Sequence, residues 1–380
     1  MGARARARPE PDDCVSEASP AVLPPARPPG SVTVLLVDES AVSRRALRSG
    51  LQATDEFVVV GEARSCRDAV LMVDRLRPST VLMNLSSPVT AGLDVIEQIM
   101  AVRPTPIVVY SSEPGADGKA GALSALSAGA VEVVAKPNWD DAGSAERSVA
   151  ELRQLLRAAS RIKVITHPRG RLRPAAQSDQ SPGGGLAAPD LAISLVVIGA
   201  STGGPQAVAQ VLRALPPDFA PAVLVVQHMA DGFIPGLVTW LDSVSPLRVG
   251  TAQAGRVLQP GTVSLAPSGH NVQVGSSLRV ALCEPSERQF HVPGIDPAFR
   301  SVAETVGPHA IGILLTGMGR DGAAGLRALR DAGAVTIGQD EASSAVYGMP
   351  AVAMTLGGVE HQLALDQIAP TVVRLVRGVS

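Results

Sequence analysis

The stretch from Leu195 to Gly204 reads LVVIGASTGG: a strand-length apolar run ends in Gly199-Ala200-Ser201-Thr202-Gly203, and Pro205 opens a helical pattern directly behind it. A strand, a glycine-flanked serine and a helix start within so few residues place Ser201 at the carboxyl end of a strand entering a βα turn. AVLVVQHM from Ala222 and IGILLTG from Ile311 repeat the alternation, the latter followed by a helical pattern from Gly322. Such alternation builds a parallel sheet covered by helices, so the fold expected of this half is α/β, doubly wound and mainly parallel. Short two-period segments around Arg248, Thr262 and Leu278 read as additional antiparallel strands. No repeat of solenoid period is visible.

Working toward the amino terminus, five β-branched runs alternate with helical patterns: VTVLLV from Val32, FVVVGEA from Phe57, STVLMNL from Ser79, PIVVYSS from Pro106 and VEVVAKP from Val131. That pattern predicts a second unit of (βα)5, flavodoxin-like type. Residues 161–190 collect Pro, Gly, Ser, Gln and Arg without apolar period and read as a linker. Residues 1–31 have prolines in every apolar stretch, so no signal-peptide core forms there and a disordered tail is expected. The expected division is therefore a tail over 1–31, one domain over 32–160, a linker over 161–190 and a second domain over 191–380.

A chain of 380 residues is long enough for two cores. With 18% charged residues and a net charge of −2, it offers no bulk electrostatic reason to bind nucleic acid or an anionic membrane. Its apolar runs fall far short of the roughly 18 residues that argue a membrane span. Cys14, Cys66 and Cys283 have neither metal-ligand nor redox spacing, the usage expected of a reducing, cytoplasmic compartment.

Chemistry gathers at the strand ends of the carboxyl half. Ser201 fits G-x-S-x-G, in which flanking glycines permit a tight turn that lifts the hydroxyl off the sheet; the same glycines equally fit a phosphate-binding turn. His228 follows the next strand, where a hydrogen-bonded loop histidine is the plainer reading. Asp321 lies between a strand and a helix, where a helix cap is the plainer reading. All three nonetheless leave the carboxyl ends of strands, which in open parallel sheets line one crevice.

IGASTGG at 198–204, QHM at 227–229, LTGMGRDGA at 315–323 and GQDEASSAVYGMP at 338–350 resemble the motifs of the chemotaxis protein-glutamate methylesterases. HVPGIDPAFRSVA from His291 is similar to a further block, with Gly294 where that family usually has serine. The resemblance covers nearly all of residues 192–376. It implies a Ser-His-Asp triad of Ser201, His228 and Asp321, in a chain order unlike that of α/β-hydrolases. It also implies an oxyanion site at the backbone N–H of Met318, with Thr202 as a second donor, and no cofactor for catalysis. The implied substrate is a methyl-accepting chemotaxis receptor, whose methylated glutamates are hydrolysed and whose glutamines are deamidated.

The amino half resembles a response-regulator receiver over residues 32 to about 158, on Asp38-Glu39 after the first strand, Ser111 after the fourth and Lys136-Pro137 after the fifth. In such a pocket carboxylates hold Mg²⁺, an aspartate accepts phosphate, and the hydroxyl and lysine hold phosphoryl oxygens. Here the acceptor position is Asn84, and Ala91-Gly92 stands where Asp-Gly is usual. An amide forms no acyl phosphate, so the expectation is a receiver that is not phosphorylated and holds Mg²⁺ weakly or not at all. It would act as a scaffold, a dimerisation surface or a lid moved by a protein partner.

Two other functions fit less of the chain. A non-enzymatic adaptor accounts for the altered receiver but leaves Ser201, His228 and Asp321 unexplained. A nucleotide-binding oxidoreductase requires G-x-G-x-x-G and an acidic residue at the end of its second strand, where this chain has Gln227-His228.

Overall fold

The computed structural model describes residues 30–85, 89–111, 121, 124–137, 139, 142–162, 192–229, 232–286, 289 and 291–378. Nearly all of the sequence-predicted tail and linker, and Cys14, lie outside them.

In the amino half, strands β1 (Val32–Val37), β2 (Phe57–Ala63), β3 (Thr80–Asn84), β4 (Ile107–Ser111) and β5 (Glu132–Ala135) form one sheet. Every pairing in it is parallel, in the order β2-β1-β3-β4-β5. Helices α1 (Ala41–Leu51), α2 (Cys66–Leu76), α3 (Val89–Val102) and α4 (Ala142–Ala159) connect and follow these strands. Two starts are capped by serine: Ser40 Oγ accepts the Ser43 N–H and Ser65 Oγ the Asp68 N–H, each at 3.2 Å.

The carboxyl half runs β6 (Leu195–Ala200), α5 (Gly204–Arg213), β7 (Ala222–Gln227), α6 (Ile234–Val244), β8 (Arg248–Thr251) and β9 (Thr262–Leu265). It continues with β10 (Asn271–Val274), β11 (Val280–Cys283), α7 (Ile295–Thr305), β12 (Ala310–Leu314) and α8 (Ala323–Asp331). The last elements are β13 (Val335–Gln339), α9 (Met349–Thr355), β14 (His361–Leu363) and α10 (Leu365–Arg377). Seven strands make one parallel sheet in the order β14-β13-β12-β6-β7-β9-β8. Both units are α/β, as the alternation of runs predicted.

One expectation needs correction. The segments at Arg248 and Thr262 are parallel strands, paired Arg248 with Thr262 and Thr251 with Leu265 at the edge of the main sheet. Only the segment around Leu278 is antiparallel: it is the turn of the separate β10–β11 hairpin.

The central strands β6, β7 and β12 are buried throughout. Alternate residues face opposite layers, so Val196 and Ile198 join one apolar cluster while Leu195 and Val197 join the other. Fully burying each such side chain contributes about 1.5–3 kcal/mol relative to exposure. Among the described residues no helix is long and apolar enough to cross a membrane.

Candidate active site

Strands β6 and β7 pair in register, Gly199 with Val226 and Ala200 with Gln227, so Ser201 and His228 leave the sheet side by side. The His228 N–H donates to Ala200 O at 3.0 Å, the last ladder bond between the two strands. On the opposite flank the Ser201 N–H donates to Thr316 O at 3.0 Å, which ties the serine to the chain leaving β12. Gly203 adopts φ +73° as the cap of α5, a conformation glycine takes without strain.

Asp321 reaches this crevice from the loop between β12 and α8. Its Oδ2 lies 2.8 Å from His228 Nε2 and accepts the Ile295 N–H at 2.8 Å; its Oδ1 accepts the N–H groups of Asp296 and Gly322 at 3.0 Å each. Asp321 is thus a histidine partner and also takes the first N–H groups of a helix, but that helix is α7, distant in sequence, whereas α8 is capped by Gly322 without a side-chain bond. Burial pushes the Asp321 carboxyl up, yet the bonds from His228, Ile295 and Asp296 outweigh it and hold the acid below its ordinary range. An ionised, acceptor-only carboxylate requires the proton of the neutral imidazole on Nε2. Nδ1 is therefore the unprotonated nitrogen; it is buried and among the described residues has no hydrogen-bond partner.

The oxyanion candidates sit beside the serine. A Cβ on Gly317 would fall 2.6 Å from Ser201 Cβ, so only glycine brings the Met318 backbone this close. Among the described residues neither the Thr202 nor the Met318 N–H has a hydrogen-bond acceptor, while Thr202 O is held by the Thr316 hydroxyl at 3.0 Å. Gly294, the departure from the resembling motif, caps α7 without a side-chain bond. Asn271 Oδ1 takes its N–H at 2.7 Å, and Asp321 takes the next two.

Several contributors were not singled out from sequence. His291 stacks on His228 with ring centroids 4.6 Å apart and planes 17° from parallel. Burial, and then the neighbouring His228, push the His291 imidazole below its ordinary value. A cleft of about 850 Å³ opens on the side of His291 and Asp321, lined also by Asp296, Arg300 and Arg320, while Ser201 and His228 do not line it. The one legible signal for His291 was its place at the head of the HVPGIDPAFRSVA block.

The receiver residues also converge. Asp38 Oδ1 accepts the Ser40 N–H at 2.8 Å, Oδ2 accepts the Tyr110 hydroxyl at 2.5 Å, and Lys136 Nζ stands 3.8 Å from Oδ2. Burial and the bond to Asp38 push the Tyr110 phenol far up. Asn84 closes β3 with its Oδ1 buried and unpartnered, Ser111 is buried at the end of β4, and the Glu39 side chain is exposed. Ala91 stands in the first turn of α3. A carboxylate already taken by a phenol and an ammonium, beside a neutral amide, does not fit Mg²⁺.

The two halves touch at the elbow itself. Glu132 of β5 is buried and its Oε2 accepts the Gly203 N–H at 3.2 Å; Gln206 of α5 donates to Leu126 O. Burial raises the Glu132 carboxyl to about 7, against the bonds from Gly203 and Val133.

The CheB methylesterase family model matches residues 196–372, and the response regulator receiver domain model matches residues 34–144. A protein-glutamate methylesterase/protein-glutamine glutaminase 3 of Paramagnetospirillum magneticum is 42% identical over 354 residues, spanning 92% of this chain and 97% of that relative. A protein-glutamate methylesterase/protein-glutamine glutaminase 2 of Anaeromyxobacter dehalogenans is 41% identical over 347 residues, spanning 91% and 97%. Another, numbered 1, from Cupriavidus pinatubonensis is 39% identical over 340 residues, spanning 89% and 96%. Carrying a receiver ahead of this esterase-like half and matching such relatives along almost their whole length, the chain belongs to the CheB methylesterase family.

Proposed function

We propose that the chain is a cytoplasmic serine esterase that hydrolyses glutamate γ-methyl esters on a methyl-accepting chemotaxis receptor and deamidates receptor glutamines by the same attack. The observation that carries this reading is the 2.8 Å contact of His228 Nε2 with Asp321, beside an in-register Ser201. His228 Nδ1 takes the proton of Ser201 Oγ as that oxygen attacks the γ-carbonyl, and Asp321 stabilises the imidazolium that forms. The N–H groups of Thr202 and Met318 receive the developing oxyanion. Collapse expels methanol, or ammonia from an amide, with the proton returned by His228. Water, deprotonated in turn by His228, then releases the glutamate and regenerates the serine. A hydrogen bond from Ser201 Oγ to His228 Nδ1 is the contact this step requires.

The receiver, on this reading, is not phosphorylated and answers to a protein partner. Asn84 and the Tyr110-held Asp38 support that. Methanol release from a methylated receptor, with Ser201→Ala as control, tests the esterase assignment. An inert wild-type chain that a fluorophosphonate fails to label would favour an adaptor.

A further inference from the structure

Gln227 closes β7 and is 1% exposed. Its Nε2 donates to Ser201 O at 2.9 Å and to His228 O at 2.8 Å. Because both neighbours are carbonyl oxygens, only the amide nitrogen can face them, and the orientation of the group is settled. Its Oε1 is buried without a partner, packed where a Cβ on Gly204 would come within 2.2 Å. Gly204 is therefore the residue that makes room for this amide.

The ladder between β6 and β7 ends with the bond from His228 N to Ala200 O. Beyond it, where Ser201 and His228 must meet, the backbone offers no further rung. We infer that Gln227 is the positioning residue of the reaction, a side-chain rung that fixes the backbone of the nucleophile against that of the base. Each hydrogen of one amide holds one of the two residues, so their separation is set by the width of a single NH₂ group. A bond of that kind leaves substrate binding alone and acts on the alignment of Ser201 Oγ with His228 Nδ1. The inference rests on the esterase reading of these two residues.

The test uses the full chain, p-nitrophenyl acetate and a fluorophosphonate. Gln227→Met keeps the length and removes both donors; kcat and the labelling rate should fall together by about 10²-fold, the cost of misplacing reacting groups by roughly 1 Å, with KM within about threefold. Gln227→Glu sets a carboxylate against two carbonyl oxygens at high pH and offers one O–H once protonated, which burial promotes well above the ordinary acid range. The ratio of its kcat to that of wild type should therefore rise as pH falls. A residue needed only for packing would lose melting temperature and kcat together as pH rises, so a slope in kcat with the Gln227→Glu melting temperature constant across the same range assigns it to alignment, and it remains readable if Gln227→Met does not fold. A kcat for Gln227→Met within twofold of wild type, a loss confined to KM, or a ratio flat across pH overturns the inference. A wild-type chain inert to both reagents overturns the esterase reading and this inference with it.

Discussion

Asp321 holds His228 by Nε2, at 2.8 Å, so that Nδ1 rather than Nε2 is the nitrogen available to the proposed nucleophile. The same carboxylate holds the first N–H groups of α7, so that helix and His228 share one anchor.

Ser201→Ala removes the proposed attacking oxygen and should lower kcat by on the order of 10³–10⁶, with the melting temperature nearly unchanged because among the described residues the hydroxyl makes no hydrogen bond. Methanol release and fluorophosphonate labelling measure it. Activity within tenfold of wild type would reject Ser201 as nucleophile.

Asp321→Asn should cost twice over. Both carboxylate oxygens accept, so an amide nitrogen at either position loses bonds, and the wrong tautomer of His228 is favoured. A fall of about 10⁴ in kcat is expected, together with roughly 1 kcal/mol of stability from the weakened start of α7. If thermal melting shifts while kcat stays within tenfold, the residue is a cap only.

At the receiver, Asn84→Asp alone should leave Mg²⁺ unbound, because the Tyr110 hydroxyl and Lys136 still engage Asp38. The pair Asn84→Asp with Tyr110→Val should free that carboxylate and bind Mg²⁺, read by calorimetry. Tight binding by the single variant would show that the phenol yields readily.

Glu132 makes the contact between the halves depend on pH. Its carboxyl is raised to about 7 by burial, so its contribution is fully present below the ordinary value of 4.5 and is lost as pH rises through about 7. A shift of that size corresponds to on the order of 3 kcal/mol. Hydrogen exchange at 203–207 and 124–128, corrected for intrinsic rates, should therefore quicken between pH 5.5 and 8, and Glu132→Gln should remove the difference. An equal pH response in the variant would assign the effect to another group.

The central architecture was readable because β6, β7 and β12 are continuous apolar runs, and a residue following such a run has one place to go. Ser201 and His228 were legible as neighbours for that reason. Strands β8 and β9 were not, since four residues of two-period pattern suit either direction of pairing. The dual role of Asp321 depends on α7, whose start stands well before it in the chain and reaches it only through the fold. Tyr110 reads as one more apolar residue of a buried strand until its hydroxyl is seen on Asp38. The stack of His291 on His228 comes from two separate loops with no shared periodicity.

Because Glu132 of the receiver sheet lends its acceptor to Gly203, the two halves are not interchangeable parts. A chimera that grafts a foreign receiver onto this esterase half inherits a bare N–H at the elbow unless the donor strand carries a carboxylate or amide in the same register. A change at residue 132 thus reaches the turn that carries Ser201 through a single hydrogen bond between the halves.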